Sequence, residues 1–293
     1  MTEAVCVLDA KASVGECPVW CGLTQSLYWV DIDNCRLNRF DPACGTNQVW
    51  TFAEPIGSFG LRAKGGAIVA LKSGFHLFDF ETGRLEKLVD PEPDRALNRL
   101  NDGRCDRAGR FWCGSMQDPP DPEQRTAALY RLEPNHCCSL VVDDLFVSNG
   151  LAFSPDNRTL YHSDSYLSVR TIWAWDFDLA NGAIRNRRVF VDTAGMPGRP
   201  DGAAVDADGC YWMAAIDGWE VVRFTPAGKI DRRIALPVSQ PTMIAFGDRD
   251  LGTMYVTSIR PPDEADWSQQ PQAGGLFAIN AGVKGLPEPL YAG

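Results

Sequence analysis

One sentence-like unit recurs six times along this chain, and no other feature narrows the fold as far. Its copies are led by Glu16, Ser58, Asn101, Asn149, Asp201 and Thr242, at steps of 42, 43, 48, 52 and 41 residues. Each copy opens on a short apolar run that ends at an aromatic or branched residue, such as Trp20, Phe153, Val205 or Phe246. A polar or glycine-containing turn follows (AKGG, DRAG, SPDNRT, DADG). Next comes an aromatic-rich stretch (LYWVD, FWCGS, LYHSD, YWMAA, MYVTS) and later a third (RLNRF, ALYRL, IWAWDF, EVVRF, GLFAI). Aromatic and β-branched runs bounded by Gly, Pro, Asn and Asp are strand signals, and amphipathic helical stretches are missing. Three to four strands every 40 to 50 residues or so is how a β-propeller blade looks in sequence. A solenoid would need shorter repeats and capped ends, and a sandwich would not repeat so evenly. The expectation is an all-β, six-bladed β-propeller, with residues 1–293 forming a single domain.

Bulk properties exclude several functions. The net charge of −10, from 28 Lys and Arg against 38 Asp and Glu, disfavours nucleic acid or an anionic membrane as partner, and no basic run argues otherwise. The opening MTEAVCVLDAKASVGE has no basic stretch and no apolar core, so no signal peptide is expected. Apolar runs fall far short of the roughly 20 residues of a spanning helix, and a soluble, cytoplasmic protein is expected. The ten cysteines are scattered without a CxxC pair, which points to reduced thiols packed as small apolar residues. There is no Gly-rich phosphate loop, no G-x-S-x-G elbow and no H-E-x-x-H, which disfavours nucleotide chemistry, serine hydrolysis and zincin proteolysis.

The innermost strand of every propeller blade runs beside the central channel. Residues that start this strand in each copy should therefore form one ring at one mouth of the channel. The ring holds Glu16, Ser58, Asn101, Asn149, Asp201 and Thr242, none of them apolar although core-like sequence follows each. Polar residues commonly begin strands, but six in register point to a site. Two carboxylates and an amide oxygen, from Glu16, Asp201 and Asn149, would repel at one spot unless a cation sat between them. Oxygen-only ligation suits a hard divalent ion, Ca²⁺ first, with Zn²⁺, Mn²⁺, Mg²⁺ or Fe²⁺ as alternatives. Three protein ligands leave positions open for water and substrate, as a catalytic metal needs.

The segments GECPVW, RLNDGRCDRAGRFWCGSM, SNGLAFSPDNRTLYHSDS and RPDGAAVDADGCYWMA resemble the signature blocks of the SMP-30/gluconolactonase/regucalcin-like family, in order from Glu16 to about Phe277. The resemblance implies a six-bladed propeller, one divalent cation in the channel and hydrolysis of sugar lactones in aldose catabolism. It carries the metal ligands onto Glu16, Asn149 and Asp201, and the substrate-binding pair onto Arg99 and Asn101. The family's acidic substrate contact after its G-T/S-M segment falls at Pro119 in GSMQDPPDPE, leaving the adjacent Asp118 as the candidate. The family glycine after the leading acid is Cys17 here, a change expected to spare the ligand.

The expected mechanism has the cation on the lactone carbonyl, Asp201 as general base toward water, and Arg99 and Asn101 orienting the ring. The partner is then a small sugar lactone, pentose or hexose, and the protein a monomer or weak homo-oligomer. Other functions are a calcium-binding regulator without turnover, a hydrolase of other esters or organophosphates on the same centre, or a propeller used as a scaffold. DADG (206–209) and DRAG (106–109) lack the other ligands of a calcium loop and are expected to be hairpin turns. His76, His136 and His162 share no metal-ligand spacing and are expected to be structural. Of nine tryptophans, Trp219 and Trp267 fall in predicted loops and are candidates to line the pocket.

Overall fold

The computed structural model describes residues 3–262 and 267–293. Its strands form six four-stranded antiparallel sheets arranged as a six-bladed β-propeller, with no α-helix among the described residues. Five blades are simple meanders of four strands consecutive in the chain. In the sixth, strand β1 (Ala4–Leu8) pairs with β24 (Leu276–Asn280) and so supplies the outer edge of a sheet otherwise built from the end of the chain. A ring closed in this way leaves only short, protected edges.

The inner strands are β2 (Gly15–Cys21), β6 (Ile56–Leu61), β10 (Asn98–Cys105), β14 (Ser148–Phe153), β18 (Arg199–Val205) and β22 (Pro241–Gly247). All are almost wholly buried, because their two faces pack against the neighbouring blades. Each carries the same irregularity. Glu16 pairs with Val30 and Val19 with Tyr28, so three steps on the inner strand match two on its neighbour. The same one-residue excess falls after Leu100, Asn149, Pro200 and Pro241, and after Ile56 in the second blade. A bulge of this kind frees residues from the ladder and re-aims their side chains. Its sharp turn shows at Gly150, with φ of 66°, and at Cys17, which adopts 46° although it has a side chain.

The expected hairpin turns are present, and their aspartates are the reason. Asp206 Oδ1 accepts the Asp208 and Cys210 N–H groups, and Oδ2 accepts Trp212 Nε1 and Arg223 Nε, both at 2.8 Å. Asp106 does the same with Ala108, Arg110 and Trp112. Filling every carboxylate lone pair ties each turn to the aromatic core of its own blade. The ten cysteines are all free. His162 is fully buried, bonds Ser148 Oγ through Nε2 at 2.8 Å, and is kept neutral by burial, which lowers its pKa to about 3.

The two ends of the channel differ. At the end where the inner strands finish, the C-terminal stretch crosses the opening. Tyr291 is fully buried, its N–H bonds Leu61 O, Ala292 N–H bonds Gly109 O, and Glu288 pairs with Arg104 at 3.1 Å. Below the other end, Cys17, Phe59 and Met243 belong to one apolar cluster. What remains open is the mouth where the inner strands begin.

Candidate active site

At that mouth lies a cavity of ≈ 400 Å³. Four leading residues line it: Glu16, Asn101, Asn149 and Asp201, joined by Arg99 and by an apolar wall that includes Val14, Ile32, Met116 and Ile259. The six-member ring expected from the sequence is thus a ring of four. Ser58 is fully buried and faces Cys113 of the next blade, Oγ to Sγ 3.4 Å. Thr242 is also fully buried, its hydroxyl donating to Gly15 O and lying 2.8 Å from Thr257 Oγ1. Both hydroxyls stitch adjacent blades together. Trp219 and Trp267 do not line the cavity either: Trp219 sits in an exposed turn, and the Trp267 ring lies 3.6 Å from the Arg260 guanidinium carbon.

The side chains at the mouth form a directed chain of hydrogen bonds. Arg99 Nε bonds Asp118 Oδ2 at 2.9 Å, and its Nη1 bonds Asn101 Oδ1 at 2.6 Å. Asn101 Nδ2 then donates to Asn149 Oδ1 (3.1 Å) and to Ser148 O (3.0 Å). Asn149 Nδ2 donates to Ser165 Oγ at 2.6 Å, which fixes the amide so that its oxygen is the end presented toward Asn101. Asp118 is half-exposed and absent from the cavity wall, so its contact is with Arg99 rather than with the cavity itself.

The acids are the opposite case. Glu16 Oε2 accepts the Cys17 N–H at 2.8 Å, so the residue that replaces the family's glycine still supplies a donor. Asp201 accepts no hydrogen bond among the described residues, although it is buried. Burial lifts the Glu16 carboxyl well above the usual range, and the charges of Asp201 and Asp102 lift it further. Burial likewise pushes Asp201 up to about 7, against the pull of Arg199. Asp102, next to Asn101, was not singled out by the sequence. It is buried, bonds Leu151 N–H through Oδ2, and leaves Oδ1 without a partner. The Asp102 charge therefore adds to the burial of Glu16 and Asp201, and all three acids have too few donors.

This donor set fits a hard divalent cation. No three His, Cys, Asp or Glu side chains cluster as a metal site among the described residues. The set would instead be the two carboxylates of Glu16 and Asp201 with the oriented amide oxygen of Asn149, all oxygen and twice negative. A doubly charged ion would offset the burial that raises both carboxyls and the Asp201 charge that raises Glu16 further.

Residues 14–260 match the sequence profile of the SMP-30/gluconolactonase/LRE-like region. The chain is 43% identical to the 6-deoxy-6-sulfogluconolactonase of Pseudomonas putida over 292 residues and 37% identical to the regucalcin of Gallus gallus over 294, with 98% of each chain covered in both comparisons. Among solved structures, the calcium-binding protein regucalcin from Agrobacterium tumefaciens superposes with a TM-score of 0.94 at 27% identity, over 99% of this chain and 97% of that one. No described helix is long and apolar enough to cross a membrane. Fold, profile and full-length likeness agree, and the chain belongs to the SMP-30/gluconolactonase/LRE-like family.

Proposed function

We propose that the protein hydrolyses a sugar lactone to its aldonic acid with the help of one divalent cation. A single observation carries this reading: Glu16, Asn149 and Asp201 share one cavity with the Arg99–Asn101 pair. The first three make an oxygen donor set for a cation, and Asn101 and Asp118 fix the Arg99 guanidinium, whose Nη2 is left open among the described residues for a neutral, oxygen-rich molecule. The lactonase relative acts on a six-carbon lactone and the Agrobacterium relative binds calcium, which together favour a hexonolactone and Ca²⁺.

Glu16, Asn149 and Asp201 would hold the cation, which when bound polarises the lactone carbonyl. Arg99 and Asn101 orient the ring, and Asp118 positions the Arg99 fork from outside the cavity. Asp201, with no hydrogen bond to occupy its lone pairs, takes a proton from the attacking water. The water oxygen bonds to the carbonyl carbon, the ring C–O ester bond breaks, and the proton passes to the departing oxygen, which becomes a hydroxyl. The wall of Val14, Ile32 and Met116 keeps bulk water from the developing charge. The same reading takes the protein as a cytoplasmic single-domain propeller, a monomer or weak homo-oligomer, with neither nucleic acid nor membrane as partner.

The test is acid release from a panel of pentono- and hexonolactones, in excess Ca²⁺ and after chelation. Release that stops on chelation and returns with the ion is expected. Tight calcium binding with no release from any lactone would replace this reading by that of a calcium-binding regulator, in line with the regucalcin likeness.

A further inference from the structure

The cavity contains a second arginine that the hydrolytic machinery does not use. Arg199 on β18 stands two residues ahead of Asp201, as Arg99 on β10 stands two ahead of Asn101. The two are built alike. Each directs Nε at an aspartate carried just past the end of the second strand of its blade. Arg99 meets Asp118 at 2.9 Å, and Arg199 meets Asp217 at 3.1 Å. Asp217 is in turn held by Gln240 Nε2 at 2.8 Å, so the anchored edge of Arg199 has a fixed support.

The likeness ends at the other edge of the guanidinium. Arg99 commits Nη1 to Asn101 Oδ1 and Leu100 O, and its side chain is 10% exposed. Arg199 is 26% exposed at the cavity rim, and its two terminal nitrogens have no hydrogen-bond partner among the described residues. A guanidinium held through Nε with Nη1 and Nη2 left open presents a planar fork that matches two oxygens of a tetrahedral oxyanion. Sugar hydroxyls do not need it, because Arg99, fixed by Asp118 and Asn101, already has Nη2 open for them. A second, uncommitted positive fork in the same cavity is matched by negative charge on the substrate.

Resting on the lactonase reading, we propose that Arg199 is a specificity residue that receives an oxyanion substituent, a sulfonate or phosphate, on the terminal carbon of the lactone. The Glu16, Asn149 and Asp201 group then faces the reacting carbonyl while Arg199 holds the far end of the molecule. The relative named for a 6-deoxy-6-sulfo sugar lactone acts on a substrate of this class. Arg199 has one other evident effect, since its charge draws the Asp201 carboxyl downward. Loss of that effect would fall on every lactone alike, whereas loss of an anion contact falls on the charged ones.

The experiment compares glucono-1,5-lactone, 6-deoxy-6-sulfogluconolactone and 6-phosphogluconolactone with the parent protein, Arg199→Met and Arg199→Lys, at saturating Ca²⁺. The parent is expected to favour one anionic lactone in kcat/KM by about tenfold or more, the scale of one charge-assisted contact. Arg199→Met should erase that preference, mainly through KM, and Arg199→Lys should restore part of it because the charge returns without the fork. The sulfonate and phosphate arms decide which anion is taken. Equal losses on neutral and charged lactones, or a parent with no anionic preference, would overturn the proposal. Calorimetric titration with gluconate and with 6-deoxy-6-sulfogluconate separates the two readings. If no lactone is turned over, the hydrolytic reading falls. Arg199-dependent binding of the sulfonated acid would then still uphold the anion site, and its absence would remove that too.

Discussion

Two groups of buried acids occur within a few residues of the same inner strands, and the fold treats them in opposite ways. Asp106 and Asp206, at the turns, are fully enclosed, and every oxygen is occupied by backbone N–H, a tryptophan Nε1 or an arginine. Glu16 and Asp201, at the cavity, and Asp102, beside Asn101, are nearly as buried but accept one bond, none, and one bond on a single oxygen. A carboxylate with its lone pairs filled is stable as an anion and stiffens the turn around it. One left short of donors raises the free energy of the folded chain until something from outside supplies positive charge. Burial alone therefore does not mark a site; burial without partners does.

That contrast can be broken in three places. The largest effect is expected for Asp201→Asn, which should lower kcat about 10³-fold, within the range of general-base loss. The same variant, freed of cation, should melt at a higher temperature than the parent at pH 8, because a repelling buried charge is gone. Turnover at the parent rate would show that Asp201 is not the base. Next, Asp206→Ala should cost about 3 kcal/mol of stability, since it strands Trp212 Nε1 and part of the Arg223 guanidinium. Its kcat/KM per folded molecule should hold. Chemical denaturation and steady-state rates on one preparation would check both halves, and a rate defect without a stability defect would blur the distinction.

The third effect is a slope, small at any one pH step. In the cation-free protein the carboxyls of Glu16 and Asp201 are raised, so the native state keeps protons that the unfolded chain releases near the ordinary carboxyl range. The unfolded state then binds fewer protons, and stability falls as pH rises from that range through about 7 for Asp201. Each such group contributes at most about 1.4 kcal/mol per pH unit. Melting temperatures of chelated protein from pH 5 to pH 8 should decline, and saturating Ca²⁺ should flatten the profile. A chelated profile that is already flat would mean that these acids find partners the structure does not show.

Much of the site was legible before any coordinates. Glu16, Asn101, Asn149 and Asp201 were identifiable because each leads a repeat, and repeat position becomes radial position in a propeller. Arg99 and Asp118 followed from the motif resemblance, though Asp118 proves to act on Arg99 and not on the cavity wall. Ser58 and Thr242 misled for a physical reason. Ser58 lies beyond its register break and has rejoined the ladder, where alternation turns it into the next blade. Thr242 lies at the break but donates to Gly15 O of the next blade and sits against Thr257 Oγ1 of its own, so its hydroxyl is spent on these partners. Asp102 was hidden inside a motif read for its neighbours. Arg199 carried a signal that went unused, its place two residues before Asp201 matching that of Arg99.

Blade number and the identity of the channel-facing strand were determined by the sequence itself. These depend on local periodicity and turn chemistry, which each repeat states in full. Which leading side chains meet, and which acids are left without donors, was decided only by the tertiary structure. The one-residue bulge sets direction at each inner strand, and partners for a buried oxygen come from other blades, so neither property belongs to any single repeat.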